Sequence, residues 1–384
     1  MKILLPVRFQ SSNWLGGANY FLSLVSAIGK RAADDVRVFV ATNRPEAFND
    51  MRNAGVTIVE APWLDPDAQW DYKANAVLAA LTSVDIRLYS LARQLGASVI
   101  SHVVPGRLSP CPALFWMPDF QHCHYPEFFS ERERWSRDRN ITASKRSGHL
   151  LVSSQSAARD FRRFFPHLSA VDVHVVPFSP LLDPGNQPAT REVLEALGIQ
   201  GKFFFLPNQF WRHKNHSVVV EALRQLPESF QVISSGAISD YRGDGHIHEL
   251  LKRITSYDLT DRFRLLGVLP RNQMMALMTA SVAVINPSLF EGWSSTVEEG
   301  KAQGKRLILS DIDVHREQAA VGAIYFDPKD PADLAAAMAR ALAEFDPATE
   351  QERAALAPAR YAGAVKVFAE RYIDAVRIVA RHTK

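Results

Sequence analysis

The chain has 384 residues, 44 of them Lys or Arg and 41 Asp or Glu, and its formal charge of +3 excludes a polybasic coat for nucleic acid. At 47% hydrophobic it can fill sizeable cores, so disorder throughout is excluded, and its length suggests roughly two to three domains. Its two cysteines, Cys111 and Cys123, are too few for a disulfide framework or a four-thiolate zinc site and fit a reducing cytosol.

The apolar run at Met1–Val7 is too short for a secretory signal, and no uninterrupted apolar stretch is long enough for a membrane span. Short apolar runs predict strands at 2–6, 36–40, 57–60, 98–101, 113–116, 149–153 and 172–176, with helices near 18–32, 72–94 and 156–164. A Pro- and Gly-rich stretch at 179–188 reads as a linker. Beyond it, strands are expected at 203–206, 231–235, 263–266, 282–286, 306–309 and 323–326, with helices in the gaps, one over 331–344. A last helix is expected over about 359–382, after Pro358. Continuous apolar strands alternating with helices indicate an α/β protein with doubly wound parallel sheets. The expected organisation is a domain at 1–180, a second at 181–360, and a terminal helix at 361–384 packing back toward the first. No sequence repeat relates the halves. Ligand is expected at the carboxyl ends of the strands.

Residues 282–304 (VAVINPSLFEGWSSTVEEGKAQG) place a loop with Glu291 after a buried strand and start a helix near Ser295. Ser295 and Glu298 have capping-box spacing. Free amides over 293–296, including Ser294, Ser295 and Thr296, suit a diphosphate at a helix N-terminus. Glu291 and Glu299 read either as solvated surface charges or as acceptors for sugar hydroxyls. The loop 207–216 (PNQFWRHKNH) follows the first strand of the second half and precedes a helix at 217–225. It is a solvated basic turn or a phosphate grip through Arg212 and Lys214, and His213 and His216 read as helix-start or surface residues.

In the first half, Gly16 and Gly17 lie between the first strand and the first helix, where glycine lets a backbone approach a ligand; alone the pair is an ordinary turn. The tract WMPDFQHCH at 116–124 brings Asp119 and His122 to the end of a strand. It reads as a sugar or acceptor site, as loop packing, or as a metal site, although no standard ligand spacing is met. The run Arg132, Arg134, Arg137, Arg139, Lys145 and Arg146, interleaved with acids, is a solvated helix face or a docking surface for anionic lipid or a charged glycan.

Pro287–Gly292 followed by Glu299 and Gly304 resembles the E-x7-E signature of GT4-type (group 1) retaining glycosyltransferases, and Ser310–Ile312, Val314–Glu317 and Tyr325–Pro328 are similar to that family too. The resemblance implies the GT-B architecture, two Rossmann-like domains facing across a cleft, with the second holding a nucleotide-sugar donor. It implies that Glu291 contacts the donor sugar and Glu299 the nucleotide ribose. Lys214 stands at the family's usual phosphate-binding lysine. Gln209 stands near where the family has an arginine, for which Arg212 is the nearest substitute. Gly16–Gly17 resembles the glycine loop that approaches the donor phosphates, and the tract with Asp119 and His122 is similar to an active-site loop.

The expectation is therefore a cytoplasmic enzyme, in contact with the inner face of a membrane or free of it. It would transfer a sugar from a nucleotide diphosphate to a glycan or lipid-linked glycan hydroxyl in bacterial polysaccharide or lipopolysaccharide assembly. No metal, no further cofactor and no nucleic-acid partner is expected. A sugar-nucleotide epimerase of the same fold and a non-catalytic nucleotide-sugar binding protein are the rival readings.

Overall fold

A computed structural model describes residues 1–9, 15–30, 35–51, 55–65, 84–182, 190–240 and 242–381. The chain divides into two compact units, Met1–Leu181 with Gly363–Lys384, and Leu182–Ala362.

The first unit holds strands β1 (Lys2–Val7), β2 (Arg37–Thr42), β3 (Val56–Glu60), β4 (Val99–Ser101), β5 (Ala113–Trp116), β6 (His149–Val152) and β7 (Asp172–Val175). They form one sheet in the order β3-β2-β1-β4-β5-β6-β7, with parallel ladders. Its helices are α1 (Leu15–Gly29), α2 (Ile86–Leu95), α3 (Gln121–His124), α4 (Glu131–Ala143) and α5 (Gln155–Phe164). Alternate residues of β1 serve opposite faces, as a strand's pleat requires. Ile3, Leu5 and Val7 join α1 residues Leu24 and Ile28, while Leu4 joins Leu88 and Ala92 of α2. Burial on both faces is why the strand reads as an unbroken apolar run.

The second unit repeats this winding without repeating the sequence. Strands β8 (Phe204–Leu206), β9 (Val232–Ser234), β10 (Phe263–Leu265), β11 (Val284–Asn286), β12 (Leu307–Ser310) and β13 (Ile324–Phe326) lie in the order β10-β9-β8-β11-β12-β13, again parallel. Helices α6 (Thr190–Ala196), α7 (His216–Arg224), α8 (Gly245–Ser256), α9 (Arg271–Ala280), α10 (Ser295–Ala302), α11 (Asp313–Gln318) and α12 (Pro331–Ala343) surround it. Phe204 and Leu206 pack with Val219, Leu250 and Met338 on one face, Phe203 and Phe205 with Met275 and Val297 on the other.

Helix α13 (Pro347–Arg381) runs from the second unit into the first, where Phe368, Tyr372 and Val376 join the cluster of Ile3 and Leu24. It begins eleven residues before Pro358, earlier than the sequence suggested. Asp346 is the reason: its Oδ2 accepts from Thr349 N at 2.9 Å and from Thr349 Oγ1 at 2.7 Å. Pro347 occupies the first turn, where a missing N–H costs nothing. Pro358 removes one internal hydrogen bond, but Ala357 is buried beside it and the helix continues.

Other boundaries also shift. Helix α1 starts at Leu15, so Gly16 and Gly17 lie in its first turn and not in a loop. Within the expected helix at 72–94 the structure describes α2, capped by Asp85 Oδ1 accepting from Leu88 N and ended by left-handed Gly96; residues 66–83 lie outside the described residues, as do 31–34 and the linker residues 183–189. Among the described residues no helix is long and apolar enough to cross a membrane.

Gly304 marks where α10 must turn beneath α13. Its φ is +68°, and a Cβ there would stand 2.4 Å from the Arg353 carbonyl oxygen. Gly304→Ala combines left-handed strain with a backbone clash and is expected to cost about 2–4 kcal/mol. Urea unfolding measures this; a loss below about 0.5 kcal/mol, the ordinary surface value, would show that α13 yields there.

Candidate active site

The second sheet reverses direction between β8 and β11: β9 and β10 extend one way, β12 and β13 the other. Loops leaving the carboxyl ends of β8 and β11 must diverge there, opening a crevice suited to ligand.

The loop after β8 enters a 3₁₀ turn at Arg212–Lys214 and passes through left-handed Asn215 into α7. Asn215 Nδ2 donates to the carbonyls of Pro287 (3.1 Å) and Pro328 (2.8 Å), tying three loops together. Lys214 Nζ donates to Glu291 Oε1 at 2.6 Å, both side chains largely buried. Ser288 Oγ lies 2.7 Å from the same Glu291 oxygen and 2.7 Å from Asn286 Oδ1. Arg212 is exposed, and its backbone N–H donates to Asp240 Oδ2 at 3.3 Å. His216 opens α7, as a helix-start residue, but neither it nor His213 is at the surface: both are buried, and burial pushes the His216 imidazolium down to about 3 and that of His213 well below its ordinary value. The His216 ring stacks on Phe210.

The loop after β11 leads into α10, whose N-cap is Ser294, not Ser295. Ser294 Oγ accepts from Val297 N at 3.4 Å and from Asn286 Nδ2 at 2.7 Å. The Ser294 amide, expected to face a ligand, instead donates to Gln318 Oε1 at 3.3 Å. Gln318 Nε2 lies 3.0 Å from the Ser294 carbonyl and 2.9 Å from Glu298 Oε1. Glu298 is therefore bound to Gln318 and Lys301 and closes no capping box. The Ser295 and Thr296 amides lie in the first helical turn, with no carbonyl one turn back to accept them. Thr296 Oγ1 reaches the Pro207 carbonyl at 3.4 Å, anchoring this helix end to the loop after β8.

Glu299 faces Arg271, whose Nη1 lies 2.9 Å from its Oε1. Burial raises the Glu299 pKa, and Arg271 opposes the shift. His315 donates from Nδ1 to the Ser310 carbonyl at 2.9 Å, so its bare Nε2 must be the acceptor. That atom is buried without a hydrogen-bond partner, as are Asn208 Oδ1, His213 Nδ1 and His216 Nε2. Native interiors leave few such atoms unmatched; Asn208 and His213 lie in the loop after β8, His216 opens α7, and His315 lies in α11.

In the first unit, Asp119 and His122 also come together. Asp119 Oδ1 accepts from Arg137 Nη2 and from Gln121 N. Arg137 Nε donates to His122 Nδ1 at 3.1 Å, so the imidazole proton is on Nε2, 3.0 Å from Asp138 Oδ1. Burial and Arg137 lower the His122 pKa, and both ring nitrogens are engaged. His122, Cys123 and Asp138 are close enough to be considered as metal ligands. Coordination through Nε2 would put a proton on Nδ1, facing the arginine donor. Gly16 is exposed and Gly17 buried at the start of α1.

Arg271 and Gln318 were passed over by the sequence reading, while Ser288 and His315 lie in motifs it quoted without giving them a role; all four complete the second-unit arrangement. Tyr20 OH lies 2.8 Å from His102 Nε2 at the carboxyl end of β4. His102 directly follows a strand, the position at which sheet topology directs attention. Arg271 follows Pro270 at a helix start, a signal only in retrospect.

Residues 191–357 match the sequence family described as Glycosyl transferases group 1, a stretch lying within the second unit. The O-antigen chain mannosyltransferase RfbU of Salmonella typhimurium is 26% identical over 128 residues, 33% of this chain; the match spans 35% of the length of that relative. The fold extends further. A glycosyltransferase from Rickettsia africae superposes with a TM-score of 0.69 at 12% identity, over 100% of this chain and 99% of its own. Anabaena HepE, solved with UDP and glucose, gives 0.69 at 16% identity over 98% and 100%. Sucrose-phosphate synthase of Thermosynechococcus elongatus gives 0.71 at 16% identity over 100% of both. The two Rossmann-like units thus have GT-B glycosyltransferases as structural neighbours.

The Arg271–Glu299 pair has a pH signature. Removing the arginine raises the folded-state pKa of Glu299 further above its unfolded value, so the folded variant holds the proton more tightly. Arg271→Met should therefore lie close to the parent in stability at low pH and fall behind as pH rises, by about 1–3 kcal/mol at neutrality. Urea unfolding at about pH 5 and about pH 8 checks the sign; an equal loss at both would assign Arg271 to packing alone.

Proposed function

We propose that the chain is a retaining glycosyltransferase of the GT4 type, moving a sugar from a nucleotide diphosphate to a hydroxyl acceptor. The observation that carries this is the Lys214–Glu291 pair at the switch point of the second sheet, beside the first turn of α10. A leaving nucleotide diphosphate gathers negative charge as the glycosidic bond breaks. Lys214, Arg212 and the amides of Ser295 and Thr296 supply oriented donors for that charge. Glu299 takes the nucleotide ribose and Glu291 the sugar hydroxyls, each as a pure acceptor when ionised. Gly16 and Gly17 provide a backbone that lets the diphosphate approach closely. Asp119 shapes the sugar and acceptor pocket, and His122, held between Arg137 and Asp138, positions the loop that presents it.

The phosphate charge is matched here by protein donors, so the reaction needs no metal or further cofactor, and transfer should survive chelation. Glu291 and Glu299 are committed to holding the donor, and Asp119, the other candidate for a double displacement, is tied to Arg137 and the Gln121 amide. Retention then proceeds by attack on the face the diphosphate leaves, with the leaving phosphate taking the acceptor proton. The relative named for O-antigen chain synthesis supports a role in polysaccharide or lipopolysaccharide assembly. A cytoplasmic enzyme with a glycan or lipid-linked glycan acceptor, at the inner face of the membrane, suits that role.

Calorimetry with UDP, GDP, ADP and dTDP tests the assignment. Lys214→Ala removes a charge-assisted contact and uncovers Glu291, so the preferred diphosphate should bind about tenfold or more weakly. Glu299→Ala should weaken it as well. Glu291→Ala should spare free nucleotide, because it releases Lys214, while turnover falls. Unchanged nucleotide affinity in both Lys214→Ala and Glu299→Ala would reject the site. Product NMR from an α-linked donor should show an α-linkage; a β-linked product would reject retention, and turnover of donor without acceptor into an epimer would favour the epimerase reading.

A further inference from the structure

Ser288 sits beside Glu291 with its backbone held from three sides. It is fully buried, two residues beyond the end of β11. Its N–H donates to Asn286 Oδ1 at 3.4 Å, and its carbonyl accepts from Ser310 Oγ of β12 at 2.6 Å. The next residue is tied as well, Leu289 N donating to the His213 carbonyl at 2.8 Å. Two strands and the loop after β8 therefore place the Ser288 hydroxyl, and Glu291 takes no part in placing it.

The hydroxyl carries one proton and faces two oxygens at 2.7 Å, Glu291 Oε1 and Asn286 Oδ1. The second is the acceptor end of its amide, since Nδ2 donates to Ser294 Oγ. An ionised carboxylate accepts more strongly than an amide, so the proton goes to Glu291. Asn286 Oδ1 keeps the Ser288 N–H as its donor. Lys214 Nζ reaches the same Glu291 oxygen at 2.6 Å. Both donors thus hold Oε1, and among the described residues no hydrogen bond falls on Oε2. The two donors differ in kind. Lys214 has a flexible stem and three N–H donors, so it can turn toward a phosphate. Ser288 has a short side chain on a fixed backbone and stays where it is.

We propose that Ser288 is the positioning residue for the donor-sugar contact: its hydroxyl fixes the Glu291 carboxylate and leaves Oε2 to the sugar while Lys214 turns to the diphosphate. This role rests on the donor-site reading of Lys214 and Glu291 given above. A binding group is useful only when its own supports lock it in place. Without the Ser288 hydroxyl, the carboxylate loses its one immobile donor and swings, so a sugar meets it in the right place only part of the time. The loss falls on the sugar and spares the nucleotide, which Glu291 does not touch.

Calorimetry on the full chain compares UDP-glucose, GDP-mannose, ADP-glucose and dTDP-glucose with their free diphosphates. In Ser288→Ala the nucleotide sugar that the parent prefers should bind about tenfold more weakly, and its free diphosphate within about twofold of the parent. Ser288→Cys refills the space, but a thiol donates weakly. It should behave like Ser288→Ala, whereas a packing role predicts recovery. Ser288→Thr keeps the hydroxyl and should regain most of the sugar affinity. In a Glu291→Gln background, Ser288→Ala should cost less than about twofold more, because the two side chains act as a unit. Thermal melts confirm that each variant folds, and the Ala and Cys variants decide the matter should the extra methyl of Thr not fit. Parental sugar affinity in Ser288→Ala or Ser288→Cys, an equal loss for the free diphosphate, or additive losses with Glu291→Gln would overturn the proposal. Failure of the donor-site reading looks different: diphosphate affinity is then unchanged in Lys214→Ala, and the role of Ser288 falls with it.

Discussion

The second unit is organised around an electrostatic constraint: Lys214 and Glu291 must be taken out of water together. Either charge alone in that position would be costly to bury. Paired at 2.6 Å, with Ser288 beside the carboxylate, they can sit where the loops after β8 and β11 diverge. The neighbouring pieces follow. Asn215 adopts a left-handed backbone to bring its amide to two carbonyls, and that turn carries Lys214 inward. Asn286 and Gln318 clamp Ser294, which fixes where α10 begins. Burial lowers the pKa of the histidines around the pair; Lys214 adds to this at His213, while at His315 Glu291 opposes it.

Strands were legible in the sequence because both faces of each sheet are covered, which writes them as uninterrupted apolar runs. Phe203–Leu206 is such a run, and its residues divide alternately between two cores. Helix ends were harder, because adjacent polar residues compete for one role. Ser294 and Ser295 both suit an N-cap. What selects Ser294 is Asn286 and Gln318, eight residues before it and twenty-four after it, beyond any local pattern. Pro358 gave a local stop signal that the Asp346 cap and the buried residues further along α13 overrode. Likewise the basic loop at 207–216 looked solvated as a sequence, yet two of its histidines are interior, since composition alone does not say which way a turn faces.

The two units share a strand order with no detectable repeat, so the winding is set by alternating buried strands and helices and not by particular residues. Site residues are another matter. Glu291 and Glu299 became candidates because their spacing resembled a known signature, and Lys214 because its loop did. Arg271 and Gln318, which hold Glu299 and Ser294 in place, have no fixed spacing to betray them. A partner recruited across the fold leaves little trace in the order of the chain.

Helix α13 has a consequence for how the protein is made. The first unit includes Gly363–Lys384, so its sheet is not fully covered until Phe368, Tyr372 and Val376 have been synthesised. The second unit, ending at Ala362, is complete earlier. During synthesis the amino-terminal half therefore waits, with the apolar face of Ile3, Leu5 and Leu24 short of Phe368, Tyr372 and Val376. The usual expectation that the domain emerging first finishes folding first is reversed here. Chaperone demand should consequently fall on the half of the protein that leaves the ribosome earliest.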